Sequence, residues 1–167
     1  MAANGLKIAG AVGGGLLLVL GGAQLVRPDM TNPPEDPART ITAKLNVPPE
    51  TAALMFSACG DCHSNRTAWP WYAQITPVNW WIAGHVEEGR EELNLSDWDL
   101  TGDESRKKLG HIIEELVEDA MPPAYYRPMH PSNQLTQAQR TSLADWFKAE
   151  LDRQGGPLPE GHKDRVE

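Results

Sequence analysis

The chain has 167 residues, 40% of them hydrophobic, enough for one compact core and too little for two. It carries 15 basic and 23 acidic residues, and the part beyond Arg27, with thirteen basic residues against all 23 acidic ones, has a balance of −10. Such an acidic surface excludes nucleic acid and anionic lipid as natural partners and favours a basic protein surface.

Residues 1–27 contain an uncharged run, 8–26, about as long as a bilayer's hydrocarbon core requires of a helix. This predicts a membrane-directed segment. A cleaved signal peptide is one reading, since Gly21 and Ala23 are small enough for a peptidase site; the run's length, beyond the usual ~7–15 residue signal core, favours a permanent anchor. Lys7 and the amino terminus set the start inside, so the expected topology is a single pass in a bacterial cell membrane, N-terminus cytoplasmic, with everything after Arg27 periplasmic or otherwise extracytoplasmic. Gly10 and Gly14 form a G-x-x-x-G pair, which the frequency of glycine in membrane helices explains without helix pairing.

Residues 28–46 are rich in proline and lack any apolar period, which predicts an extended tether. Pro48, Pro49 and Glu50 then suit a helix start, and residues 51–58 deliver a helix into Cys59. From residue 77 the positions Val78, Trp81, Ile82, Val86, Gly89 and Leu93 share one helical face, with Glu87, Glu88, Glu91 and Glu92 mostly opposite. A third helix over 103–119 repeats Leu109, Ile112, Ile113, Leu116 and Val117 at three-and-four spacing. The fourth opens with a capping box, Thr136 and Gln139, and buries Leu143, Trp146, Phe147 and Leu151. No stretch alternates strictly enough for a strand. The fold class is therefore all-α: a small helical domain over 47–153, preceded by a single transmembrane helix and followed by a polar tail, 154–167.

Both cysteines fall in one motif, Cys59-Gly-Asp-Cys62-His63. A thioredoxin-type redox pair needs a βαβ setting that is missing, and zinc needs further ligands although the chain has no third cysteine. A disulfide across two residues closes too small a loop to stabilise much. The reading that uses all three residues is covalent attachment of one haem c. Thiols three apart on a terminating helical turn lie on one edge and reach two vinyl groups, while the adjacent imidazole of His63 swings beneath the iron.

Residues 59–98, together with the segment 121–147 beginning MPPAYYRPMHPSNQLT, resemble the bacterial haem-binding domain family of small, often membrane-anchored, cytochrome c-like proteins; the N-P-P at 32–34 is similar to that family's pattern after its anchor. The resemblance implies a mono-haem, cytochrome c-like domain and leaves the donor and acceptor of electrons open. One departure from ordinary class I cytochromes c is Phe56, which stands three rather than four positions before the first cysteine.

The sixth iron position decides between carrier and ligand-binding protein. Met121, ahead of Pro122 and Pro123, sits in a stiff segment able to hold a thioether over iron and is the leading choice, with Met129 and His85 as alternatives. Met55 lies on the cysteine helix and belongs to the core. His111 and His130 read as structural or solvated, with His130 also suited to bonding a propionate or shaping the Met121 segment. Trp69, Trp71, Tyr72, Trp80 and Trp81 are candidates to wall the haem, Arg66 and Arg90 to meet its propionates. The His63 nitrogen that does not touch iron should donate to a carbonyl, with Pro70 or Pro77 as candidates.

Filled axial positions predict an electron-transfer protein rather than an enzyme, with no small-molecule substrate, passing single electrons between extracytoplasmic redox proteins, alone or within a larger membrane complex. The acidic faces, Glu87 to Glu92 and Glu114 to Asp119, are either a solvated surface or a steering patch for a basic partner. The alternative function is a haem-based ligand sensor or peroxidase-like domain with a displaceable sixth ligand.

Overall fold

The computed structural model describes residues 2–157, and the side chains of the first helix from Gly10 onward. Met1, the Lys7 side chain used in the topology argument and the tail 158–167 lie outside the described residues. Among the described residues every regular element is helical: α1 (Ala2–Ala23), α2 (Ile41–Lys44), α3 (Pro49–His63), α4 (Val78–Glu92), α5 (Gly102–Val117) and α6 (Gln137–Arg153), with 3-10 turns at Trp71–Gln74, Arg127–Met129 and Pro131–Asn133.

The membrane expectations are overturned. No helix among the described residues is long and apolar enough to cross a membrane, which corrects the expected transmembrane helix and with it the single-pass, periplasmic placement. The described side chains of α1 run only from Gly10 to Ala23, a stretch shorter than the ~30 Å hydrocarbon core requires of a helix. The residues beyond it are tied to the domain: Gln24 Nε2 donates to the Thr76 carbonyl at 3.2 Å, Arg27 Nη1 to that of Gln74 at 2.8 Å, and Trp80 Nε1 to that of Val26 at 2.9 Å.

The core forms where α5 and α6 lay their apolar stripes together under α3. Leu109, Ile112 and Leu116 face Leu143, Phe147 and Leu151, and Met55, Leu95, Trp98 and Ile41 close the cluster. Each such fully buried aliphatic or aromatic side chain stabilises by ~1.5–3 kcal/mol. Val117 leaves the predicted stripe and is exposed, since at the last residue of α5 it is turned ~100° from Leu116 and has no neighbouring helix to meet. The α6 capping box is present in both directions, Thr136 Oγ1 accepting from the Gln139 N–H at 3.2 Å and Gln139 Oε1 from the Thr136 N–H at 2.9 Å.

The proline-rich segment lies along the domain. Ile41 is fully buried and its N–H donates to the Leu95 carbonyl at 2.9 Å, while the Trp98 N–H donates to that of Arg39 at 2.7 Å. Glu35 takes both Arg66 and the Ser96 hydroxyl. Prolines leave a chain with few amide donors of its own, so carbonyls and side chains make most of these attachments, the Ile41 N–H excepted.

Candidate functional site

α3 starts on Pro49 with Glu50 in its first turn and ends at His63, beyond which Ser64 is extended. The Ser64 hydroxyl caps the end by donating to the Gly60 carbonyl at 2.6 Å. The whole C-x-x-C-H motif is thus the last helical turn. α4 crosses it at Gly89, where a Cβ would stand 2.8 Å from the Cys62 carbonyl oxygen; only a residue without a side chain lets the two backbones come so close.

That approach fixes the imidazole. His63 Nδ1 lies 2.6 Å from the Gly89 carbonyl and 3.2 Å from that of Leu93. Both partners are acceptors, so Nδ1 carries the proton and Nε2 keeps its lone pair. Burial pushes the His63 pKa down, with the carbonyl bonds opposing, and the ring is neutral at pH 7. The acceptors come from α4 and the Leu93 that caps its end, in place of Pro70 or Pro77.

Cys59 and Cys62 are unpaired. Burial pushes the Cys59 thiol up to about 12 and, with the Asp61 charge adding to it, the Cys62 thiol up to about 11. Both are thiols, not thiolates, at neutral pH.

Next to Cys62 opens an apolar cavity of about 120 Å³ between α4 and the segment after α5, smaller than the ~300–1,000 Å³ typical of small-molecule sites. Trp81, Ile82, His85 and Val86 form one wall, Pro123, Tyr125, Tyr126, Met129 and His130 the other, and Tyr72 and Pro70 the end. Of the residues singled out from sequence, Cys62, Tyr72, Trp81, His85 and Met129 therefore line one space. Cys59 packs against the core, and Met121 is half-buried outside the lining. Met121 is nevertheless held at both backbone ends, its N–H on the Glu115 carbonyl at 3.4 Å and its carbonyl accepting from Arg140 Nη1 at 2.8 Å.

Trp71 is exposed and meets Tyr72 edge-on. Trp69 turns to a second cavity with Arg90 and Thr31, and its indole N–H has neither solvent nor a partner among the described residues. Arg66 pairs with Glu35 and stacks over Phe56 at 4.6 Å, away from the cavity lining. His111 is exposed and Met55 is buried in the core. His130 has both nitrogens engaged, Nδ1 with the Tyr126 carbonyl at 3.1 Å and Nε2 with the Tyr72 hydroxyl at 3.2 Å. His85 Nδ1 contacts the Trp81 carbonyl at 2.8 Å.

Sequence reasoning passed over a network that closes the cavity onto the motif. The Tyr126 hydroxyl donates to Asp61 Oδ2 at 2.5 Å, Asn133 Nδ2 reaches the same oxygen at 3.2 Å, and the Ala68 N–H donates to Asp61 Oδ1 at 3.1 Å. Burial and the Asp61 charge raise the Tyr126 pKa well above that of a free phenol. The position of Asp61 between the two cysteines was the available signal; its partner 65 residues away had none.

A family model described as a haem-binding domain matches residues 18–149, a span that includes the proline-rich segment, the motif and most of α6. No curated protein and no solved structure matches the chain. With a match over most of its length, the chain belongs to the haem-binding domain family.

Proposed function

We propose that the chain is a mono-haem c-type cytochrome that carries single electrons between protein partners. The residues fit the cofactor: the cavity is walled mainly by aromatic and aliphatic side chains, two unpaired thiols stand on one helical turn, and the neighbouring imidazole is neutral with Nε2 available. The observation that carries the reading is the commitment of His63 Nδ1 to the Gly89 and Leu93 carbonyls, the arrangement a metal-binding histidine uses to fix its tautomer and ring plane.

In this reading Cys59 and Cys62 would hold the haem covalently, each thiol adding across a vinyl C=C with no net oxidation. His63 Nε2 would bind the iron. Met121 is the proposed second ligand, because its backbone is pinned at both ends; Met129 is the specific alternative, because it shares the cavity wall with Cys62. Bound haem would supply reversible one-electron chemistry, with thioether ligation favouring Fe(II). Trp81, Ile82, Val86 and Tyr125 exclude water from that space, and Tyr126 with Asn133 holds the segment carrying Met129 against Asp61. Glu87, Glu88 and Glu91 on the exposed side of α4 supply the charge that would steer a basic redox partner.

Protein produced with a haem-attachment system should gain the mass of one covalent haem, and His63→Ala should lose the normal low-spin spectrum. Colourless protein would defeat the proposal. Reduced protein that resists carbon monoxide supports the carrier, whereas rapid binding transfers the assignment to a ligand sensor or peroxidase-like domain. Loss of the methionine–iron charge-transfer band in Met121→Ala assigns that ligand; its retention there and loss in Met129→Ala assigns the other.

A further inference from the structure

We infer that Asn32 is a positioning residue for the iron site, acting through Arg90 on the turn that follows His63, so that the N-P-P strap is part of the haem scaffold rather than a spacer. The inference rests on His63 as an iron ligand.

α3 ends at His63, so helical hydrogen bonding does not fix residues 64–67, and something else must hold them. Arg90 does so from α4, one residue beyond the Gly89 carbonyl that takes the imidazole. Its Nε donates to the Ser64 carbonyl at 2.8 Å, and its Nη2 to Thr67 Oγ1 and to Asn32 Oδ1, each at 2.8 Å. All three acceptors are neutral and belong to two different segments, so the guanidinium serves as a geometric rivet. Asn32 completes the link in the other direction, its Nδ2 donating to the Thr67 carbonyl at 3.0 Å.

The amide accepts from a cation while donating to a carbonyl; aspartate would keep only the acceptor that engages Arg90, and alanine would keep neither. Pro33 and Pro34 then fix the direction in which the strap leaves Asn32. It next meets Asn65, whose Nδ2 donates to the Pro34 carbonyl at 3.2 Å. The carbonyl of His63 itself accepts from the Leu95 N–H at 2.8 Å. The ligand is therefore held through its ring, its own carbonyl and the turn after it, and the third hold passes through Asn32.

Three variants test this. In the haem-free chain, Asn32→Ala should speed hydrogen exchange at the Leu95 amide about tenfold, as expected for the loss of one or two hydrogen bonds. In the haem-loaded protein it should shift the His63 ring-proton resonances and the midpoint potential. Arg39→Ala, which frees the same strap from Asp97 and Asp99, should leave all three readings in place. Asn32→Asp keeps the acceptor for Arg90 and should restore most of the ring signature.

A lower melting temperature in Asn32→Ala with unchanged Leu95 exchange and ring resonances would overturn the inference, as would failure of the acid to restore the signature. If the wild-type chain takes up no haem, the functional proposal fails on its own, and exchange in the haem-free chain still decides whether Asn32 holds the turn.

Discussion

On one side of α3, helices α5 and α6 meet along complementary stripes, and Leu109, Leu143 and Phe147 are all but fully buried. On the other side, α4 faces an irregular segment across a cavity, and Trp81, Tyr125 and Met129 keep half or more of their surface exposed. The first region is held by apolar contact, which is non-directional and strong in sum. The second is held by directed bonds to fixed atoms: Gly89 carbonyl to His63, Asp61 carboxylate to Tyr126, Tyr72 hydroxyl to His130. A packed half supplies stability, and a bonded half supplies position while leaving room for a ligand.

The sharpest way to break this contrast is truncation. Phe147→Ala should cost ~3–5 kcal/mol in denaturant unfolding, whereas Ile82→Ala, at the half-buried cavity wall, should cost less than half as much; equal losses would erase the distinction. Gly89→Ala should cost ~1–3 kcal/mol, because the new Cβ meets Cys62 backbone rather than a side chain able to turn away. Tyr126→Phe should cost about 1.5 kcal/mol, the value of one bond to a carboxylate, and should loosen the segment 122–133 without touching the α5–α6 core, as hydrogen exchange would report.

Acidity separates the regions further. The folded pKa of His63 lies below 6.5 because burial disfavours the imidazolium, with the Lys108 charge acting in the same direction. The unfolded chain therefore takes up this proton first, and stability rises with pH through the interval. The haem-free chain should lose stability as pH falls from about 6.5 to the folded value, below which this contribution is constant; His63→Gln should remove that part of the slope in pH-dependent melts. The smallest effect concerns the thiols. With pKa values pushed to about 12 and about 11, Cys62 should alkylate faster than Cys59 near pH 8, by roughly threefold once the weaker nucleophilicity of the more acidic thiol is counted. Equal rates would show that the two thiols share one environment.

Much of the helical plan was legible before the structure. The stripe at Leu109, Ile112 and Leu116 and the Thr136–Gln139 box encode α5 and α6 within a few residues of themselves. The path of the strap was not legible, since Ile41, Asn32 and Glu35 acquire meaning only from partners 31 to 61 residues beyond them. The run 8–26 reads as membrane-spanning by its length, whereas no helix among the described residues is long and apolar enough to cross a membrane.

The sequence alone determined that two thiols and an imidazole share one helical turn, because that spacing is set by the helix's own repeat of ~3.6 residues. Tertiary structure decided which carbonyls take the His63 proton, which side chains wall the cavity and how the strap reaches the turn after the motif. These depend on where α4 crosses α3, and that crossing follows from the packing of the whole domain around Gly89, which no local pattern records.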